Sequence, residues 1–252
     1  MTGRIFAVAL LAGLAAGLAV SVLQHFTTTP LILHAEQFET KGADLGAGGG
    51  GYAQVDLNTR GLGDAQLFLA HATGEHAKDG HEAETWGPED GLERTLFTTL
   101  TNVLTAMGFA LVLTAVIFMR GAPVDGRWGV AWGVAGFCVV SLAPALGLPP
   151  EVPGAMAAEL TARQGWWALC AASTAAGLAL MFLGHARWMP WAGAAMVILP
   201  HLIGAPHAEG MGGPVPPELA AHFVAASLVT AAAFWVFLGW ATGTLARRFQ
   251  LT

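Results

Sequence analysis

Six apolar runs without a single Asp, Glu, Lys or Arg constrain this chain more than any other feature of its sequence. An α-helix rises about 1.5 Å per residue, so about 20 such residues cross the hydrocarbon core of a bilayer. An uncompensated charge at mid-bilayer costs about 2.5 kcal/mol or more. The sequence therefore predicts an all-α polytopic membrane protein with about six transmembrane helices.

The runs form one membrane domain over residues 1–252, and no independent second domain is needed. They are Ile5–Phe26, Thr95–Met119, Trp128–Leu148, Trp166–Gly184, Met189–Gly204 and Leu219–Thr242. The fifth run is the shortest, and Pro200 lies near its end. We expect this helix to be kinked, tilted or only partly spanning.

Charged residues between the runs separate by sign. If the amino terminus is cytoplasmic, the inner segments contain one acid, Asp125, and six basic residues: Arg4, Arg120, Arg127, Arg187, Arg247 and Arg248. Lys and Arg accumulate in cytoplasmic loops, so this orientation is favoured and both termini are expected in the cytoplasm. The net charge of −6 then belongs to an acidic outer face, which has nothing to attract nucleic acid.

The first run also has features of a signal peptide, because Arg4 precedes an apolar stretch rich in Ala and Gly. That stretch is longer than a usual signal core, and it continues into Gln24 and His25 without a clear small-x-small cleavage site. A retained helix is therefore the favoured interpretation.

The segment 27–94 is the one long hydrophilic stretch, rich in acids and histidines. Its few large apolar residues and the glycines at 48–51 cannot offset the entropy of ordering. We expect a mostly flexible periplasmic loop with one short amphipathic helix near Asp64–His71. The histidines at 71, 76 and 81 either hold cations weakly or belong to a solvated acidic tract.

Histidines at the outer ends of three runs carry the candidate chemistry. His25, His201 and His222 are predicted at similar depth, and Pro206 breaks the chain between His201 and a second histidine. Imidazole and carboxylate ligands suit divalent first-row metals such as Co, Ni and Zn. The predicted metal-binding residues are His25, His34, Glu36, His201, His207, Glu209 and His222. For each helix-end histidine, a half-wetted interfacial ring is the alternative.

Other chemistry has little support in the sequence. Cys138 and Cys170 fall inside apolar runs, where we expect them to pack rather than to form a disulfide. No Walker sequence, nucleophile elbow or His-Glu-x-x-His motif is present. We therefore expect neither an enzyme nor a resident cofactor.

Four sequence elements together resemble a known family. They are the Arg4-Ile5-Phe6 helix ending in Gln24-His25, His34-x-Glu36, His201-Leu-Ile-Gly-Ala-Pro-His207, and Val215-Pro-x-Glu218-Leu-Ala-x-His222-Phe. In these elements the chain resembles the CbtA-type probable cobalt transporter subunits. The resemblance implies a bacterial inner-membrane protein that supplies cobalt for cobalamin synthesis with a small, single-span, histidine-bearing partner subunit.

Three functional hypotheses follow. The first is a subunit of a divalent-cation uptake system whose cargo is Co²⁺. The second is a membrane scaffold or sensor that binds metal without transporting it. The third is a membrane redox protein in which two of the histidines ligate a haem.

The predicted orientation has a direct test. Alkaline phosphatase should be active when inserted in the segment 27–94 and inactive when fused after Thr252, because it folds only outside the cytoplasm. Green fluorescent protein at the same carboxyl terminus should fluoresce. The reverse pattern would contradict the orientation.

Overall fold

The computed structural model describes residues 2–48, 88–89, 91–121, 123–208 and 214–250, with the backbone alone for 39–48. These residues form helices and connecting loops and contain no β-strand. The helices are α1 (Thr2–Phe26), α2 (Thr29–Gly48), α3 (Leu92–Arg120), α4 (Gly126–Ala145), α5 (Leu160–Leu183), α6 (Met189–Ile203) and α7 (Pro217–Arg248). Within α4, residues Cys138–Leu142 form a π-helical turn.

All six apolar runs are helical, so the predicted fold class is confirmed. Five of the helices, α1, α3, α4, α5 and α7, are long and apolar enough to cross a membrane. The sixth, α6, has 15 residues, which corresponds to about 22 Å against a hydrocarbon core of about 30 Å. It contains Pro200 and ends at Gly204, whose φ of 89° lies in the left-handed region. The fifth run is thus the shortest helix of the six, and its kink, tilt or partial span stays a prediction.

Helix α2 differs from the expected loop. Residues Thr27 and Thr28 form a turn after α1, and the chain then continues as a helix to Gly48. Leu31, Ile32 and Ala35 recur at helical spacing and pack against the first turns of α7 and against Val152. The first part of the predicted loop is therefore a helix, because its apolar face packs against the rest of the protein. The prediction missed this helix because the whole segment is acidic on average. The helix predicted near Asp64–His71 lies outside the described residues.

Three antiparallel helix pairs build the bundle. Helix α1 packs on α3, α4 on α7 and α5 on α6, and α1 also contacts α7. Glycines permit the closest approaches: a Cβ added to Gly133 would lie 2.1 Å from the carbonyl oxygen of Trp235, and one added to Gly239 would lie 2.3 Å from that of Gly129. Close backbone contact is a main source of helix association in lipid.

Antiparallel packing places the charged residues at two ends of the bundle. The basic end holds the amino terminus of α1 and the carboxyl terminus of α7, where Arg4 donates to the carbonyl of Phe249 at 3.4 Å. Asp125 lies at this end and caps α4 by accepting from the N–H groups of Arg127 and Trp128. The acidic end holds α2, the ends of α1 and α6, the starts of α3, α5 and α7, and the loop between α4 and α5.

The glycine contacts predict unequal effects of one methyl group. Gly239→Ala should destabilise the protein by about 1–3 kcal/mol, because the new Cβ overlaps a backbone carbonyl of α4. Gly108→Ala is the matched control, since a Cβ there meets no atom within 4 Å. Thermal unfolding in detergent should show a lower midpoint for the first variant alone. Equal midpoints would contradict the close packing of α4 on α7.

Candidate functional site

Four of the predicted metal ligands are exposed histidines at the acidic end. His25 lies near the end of α1, His34 on α2, His207 in the loop after α6 and His222 in the second turn of α7. Exposure leaves their rings accessible to a cation in the aqueous phase or at the membrane surface. The structure thus brings them to one end of the molecule, as their places in the sequence predicted.

Glu36 forms an ion pair with Arg94. The guanidinium donates to both carboxylate oxygens, with Nη1 3.2 Å from Oε2, and thereby links α2 to the first turn of α3. Such a two-point contact is geometrically specific. Metal coordination by Glu36 would require this carboxylate to be shared with, or released from, the arginine.

His201 is half-buried at the contact between α5 and α6. Its Nε2 lies 3.9 Å from the Sγ of Cys170, and its ring meets Trp166 edge-on with centroids 5.8 Å apart. The indole N–H of Trp166 donates to the Pro200 carbonyl at 3.3 Å and fixes the neighbouring turn. Cys170 is fully buried, as expected of a packing residue, yet packing also places its thiol beside an imidazole.

The predicted ligands that the structure describes share an end of the bundle but not a single coordination sphere. Within the described residues, no group of three or more His, Cys, Asp or Glu side chains lies close enough to hold a metal ion. Glu209 lies outside those residues. The seven-residue metal set therefore stays a prediction.

A cavity of about 100 Å³ with mostly apolar walls opens at the acidic end between α1, α4, α5 and α7. Its polar lining comes from Gln24, Thr28, Ser141, Glu151, Ser227 and Thr230. None of these residues was predicted from the sequence to belong to a functional site. The available signal was the recurrence of amide and hydroxyl side chains inside otherwise apolar runs, because such groups in membrane helices usually face the protein interior.

The π-helical turn of α4 forms one wall of the cavity through Val140 and Ser141. Pro144 follows within the same helix and has no N–H to donate to the preceding turn. The indole N–H of Trp167 on α5 instead donates to the Val140 carbonyl at 3.3 Å. Irregular helical backbone at this depth is thus supported by a neighbouring helix, which is the usual condition for it in a membrane protein.

Hydrogen bonds between polar side chains fix the position of α1, which lines the cavity on the side opposite α4. Asn102 on α3 donates to the Oε1 of Gln24 at 2.7 Å and to the hydroxyl of Ser21 at 3.0 Å. Gln24 is 2% exposed, so a lost partner would leave its polar oxygen unsatisfied. The Thr27 and Thr230 hydroxyls are 3.1 Å apart and join the end of α1 to α7. These contacts fix the positions of α1 and α7 around the cavity.

The loop between α4 and α5 brings two carboxylates to the acidic end. Glu151 lines the cavity and forms an ion pair with Arg163 at 2.8 Å. Glu159 caps α5, and hydrogen bonds from the backbone N–H groups of Thr161 and Ala162 hold the pKa of its carboxyl below the usual value. Glu159 is therefore ionised at neutral pH and adds negative charge to this end.

The sequence matches the family described as "Probable cobalt transporter subunit (CbtA)" over residues 2–247, which is nearly the whole chain. This agrees with the resemblance carried by the four sequence elements. No curated protein and no solved structure matches the chain. The geometry of a multi-helix apolar bundle with a charged and histidine-bearing end is consistent with a membrane transporter subunit. The chain belongs to the CbtA family of probable cobalt transporter subunits.

Proposed function

We propose that this chain carries Co²⁺ into the cell as the membrane subunit of an uptake transporter that supplies cobalamin synthesis. The observation that carries the proposal is the family match over residues 2–247. Five helices of membrane-crossing length and a shorter sixth one support it, because a path for a hydrated ion needs several helices around it. Cobalt is the cargo, and no resident cofactor is proposed.

The acidic end is the proposed side of cation uptake, and it faces away from the cytoplasm. Carboxylates concentrate divalent cations near a surface. His25, His34, His207 and His222 are exposed at this end, and neutral imidazole binds Co²⁺ without first losing a proton. With Glu36, His201 and Glu209 they form the proposed set of ligands that receive the ion. Helix movement would have to bring several of them onto one ion.

The proposed partner is the small single-span subunit that bears histidines. The family description names a subunit, so a second chain belongs to the working transporter. The exposed apolar surfaces of α1 and α3, which include Leu18, Val22 and Leu104, would contact either lipid or such a helix. The partner's histidines would supply further ligands to an ion that is bound by one histidine of this chain.

The two alternatives give different results in a reconstituted system. A scaffold or sensor would bind Co²⁺ but carry no flux, even when the partner subunit is present. A haem-binding redox protein would show a Soret band after purification and would carry no Co²⁺ into proteoliposomes. Both readouts can be obtained from the same protein preparation.

Replacement of His201 and His207 tests the proposed uptake end. The double variant His201→Ala/His207→Ala should reduce Co²⁺ uptake into proteoliposomes containing the partner by about tenfold or more, because two imidazole ligands are lost. His185→Ala is the control, since His185 is an exposed histidine at the basic end. Uptake of labelled Co²⁺, with Ni²⁺ and Zn²⁺ as competitors, is the measurement.

Unchanged uptake in the double variant would remove these histidines from the proposed ligand set. Bound metal without flux, with and without the partner subunit, would favour the scaffold or sensor.

A further inference from the structure

Three exposed arginines lie on neighbouring elements at the basic end of the bundle. They are Arg120 at the end of α3, Arg127 at the start of α4 and Arg247 at the end of α7. The guanidinium of Arg120 lies 6.0 Å from the ring centroid of Trp132, so it reaches from α3 onto α4. Like charges repel one another, and an anion that contacts more than one of these groups would relieve the repulsion.

Asp125 balances only part of this positive charge. It is the single acidic residue in the inner segments of the sequence, and its carboxylate accepts from the backbone N–H groups of Arg127 and Trp128 at 3.0 Å each. The N–H of Trp128 is the main cause that holds the pKa of this carboxyl below its usual value, and the charges of Arg247 and Arg127 act in the same direction. Arg247 therefore lies near the start of α4, and the region keeps a net positive charge.

The indole of Trp240 on α7 lies against the first turn of α4. A Cβ added to Gly126 would lie 3.1 Å from its Cδ1 and 3.2 Å from its Nε1, so the small residue lets the ring come close. Trp240 is 48% exposed. Tryptophan is common where a membrane helix meets the lipid headgroups, because its apolar ring carries one polar N–H.

One face of α7 is exposed along the inner part of the helix and ends in this region. Its residues recur at helical spacing: Val229, Ala233, Val236, Trp240, Thr244 and Arg247. Along this face, apolar side chains come first, then the indole, then the guanidinium. A phospholipid presents the same order of chemistry, from acyl chain through glycerol to phosphate. A small soluble anion would leave the apolar part of the face unused.

We propose that the start of α4 and the end of α7 bind an anionic phospholipid, with the Arg127 and Arg247 guanidinium groups at its phosphate and an acyl chain along the exposed face of α7. Guanidinium groups recognise phosphate through paired N–H donors. Basic clusters beside membrane helices attract the anionic lipids of the cytoplasmic leaflet, which this end faces in the proposed orientation. The lipid site uses none of the predicted metal ligands and does not depend on cation transport.

Phospholipid binding to the purified full-length protein tests this site. Native mass spectrometry from detergent should show tighter binding of phosphatidylglycerol than of phosphatidylcholine, because the choline ammonium offsets the phosphate charge. Arg127→Gln and Arg247→Gln should each weaken phosphatidylglycerol binding by about fivefold. Arg247→Lys keeps the charge but loses the planar fork of donors, so its loss should be smaller.

Arg187→Gln is the matched control. Arg187 is also an exposed arginine at the basic end, but it lies in the connection between α5 and α6. This variant should bind phosphatidylglycerol like the unmodified protein. Asp125→Asn keeps a side chain that caps α4 and removes the nearby negative charge, so it should bind the lipid more tightly.

Three results would overturn the lipid site. The first is a loss in Arg187→Gln equal to that in Arg247→Gln, or equal binding of phosphatidylcholine, since either shows a diffuse attraction. The second is the absence of any gain in Asp125→Asn. The third is displacement of the lipid by inorganic phosphate at equal concentration, which would show that the site takes free phosphate. Thermal unfolding midpoints should be equal in all the arginine variants, because these side chains are exposed.

Discussion

Contact between helix backbones sets the arrangement of this bundle. In lipid, apolar side chains gain little by leaving their surroundings, so helices associate through packing and close approach. Gly129 and Gly133 of α4 lie so near to Gly239 of α7 that an added methyl group would overlap carbonyl oxygens. This contact fixes where α4 lies, and with it the π-helical turn that faces α1 and α7 across the cavity.

Polar groups between the helices follow a second rule. A buried amide or hydroxyl must find a partner, and Asn102 with Gln24 and Ser21 satisfies this rule between α1 and α3. Near the acidic end, the indole N–H of Trp167 donates a hydrogen bond to the Val140 carbonyl. The buried hydroxyls of Thr28, Thr114 and Ser227 depart from this rule, because none of them has a hydrogen-bond partner in the protein.

Helix positions were largely predictable from sequence, whereas α2 was not. Absence of charge over a membrane-crossing length is a strong local signal, so all six runs proved helical. The segment 27–94 is acidic and glycine-rich on average, and this composition concealed the apolar stripe of Leu31, Ile32 and Ala35. The positions of the histidines along their helices predicted that they lie at the same end of the bundle. Their mutual distances, and the thiol of Cys170 beside His201, depend on how helices rotate about their axes.

The number of apolar helices, the separation of charge between two ends and the placement of the five predicted ligand histidines at the acidic end follow from the sequence alone. These are properties of consecutive residues, since hydrophobic length and antiparallel alternation require no knowledge of which helices touch. The pairing of α4 with α7, the ion pair between Glu151 and Arg163 and the cavity between the helices emerge only in the folded chain. Those features join residues far apart in the chain, and side-chain packing rather than composition sets which faces meet.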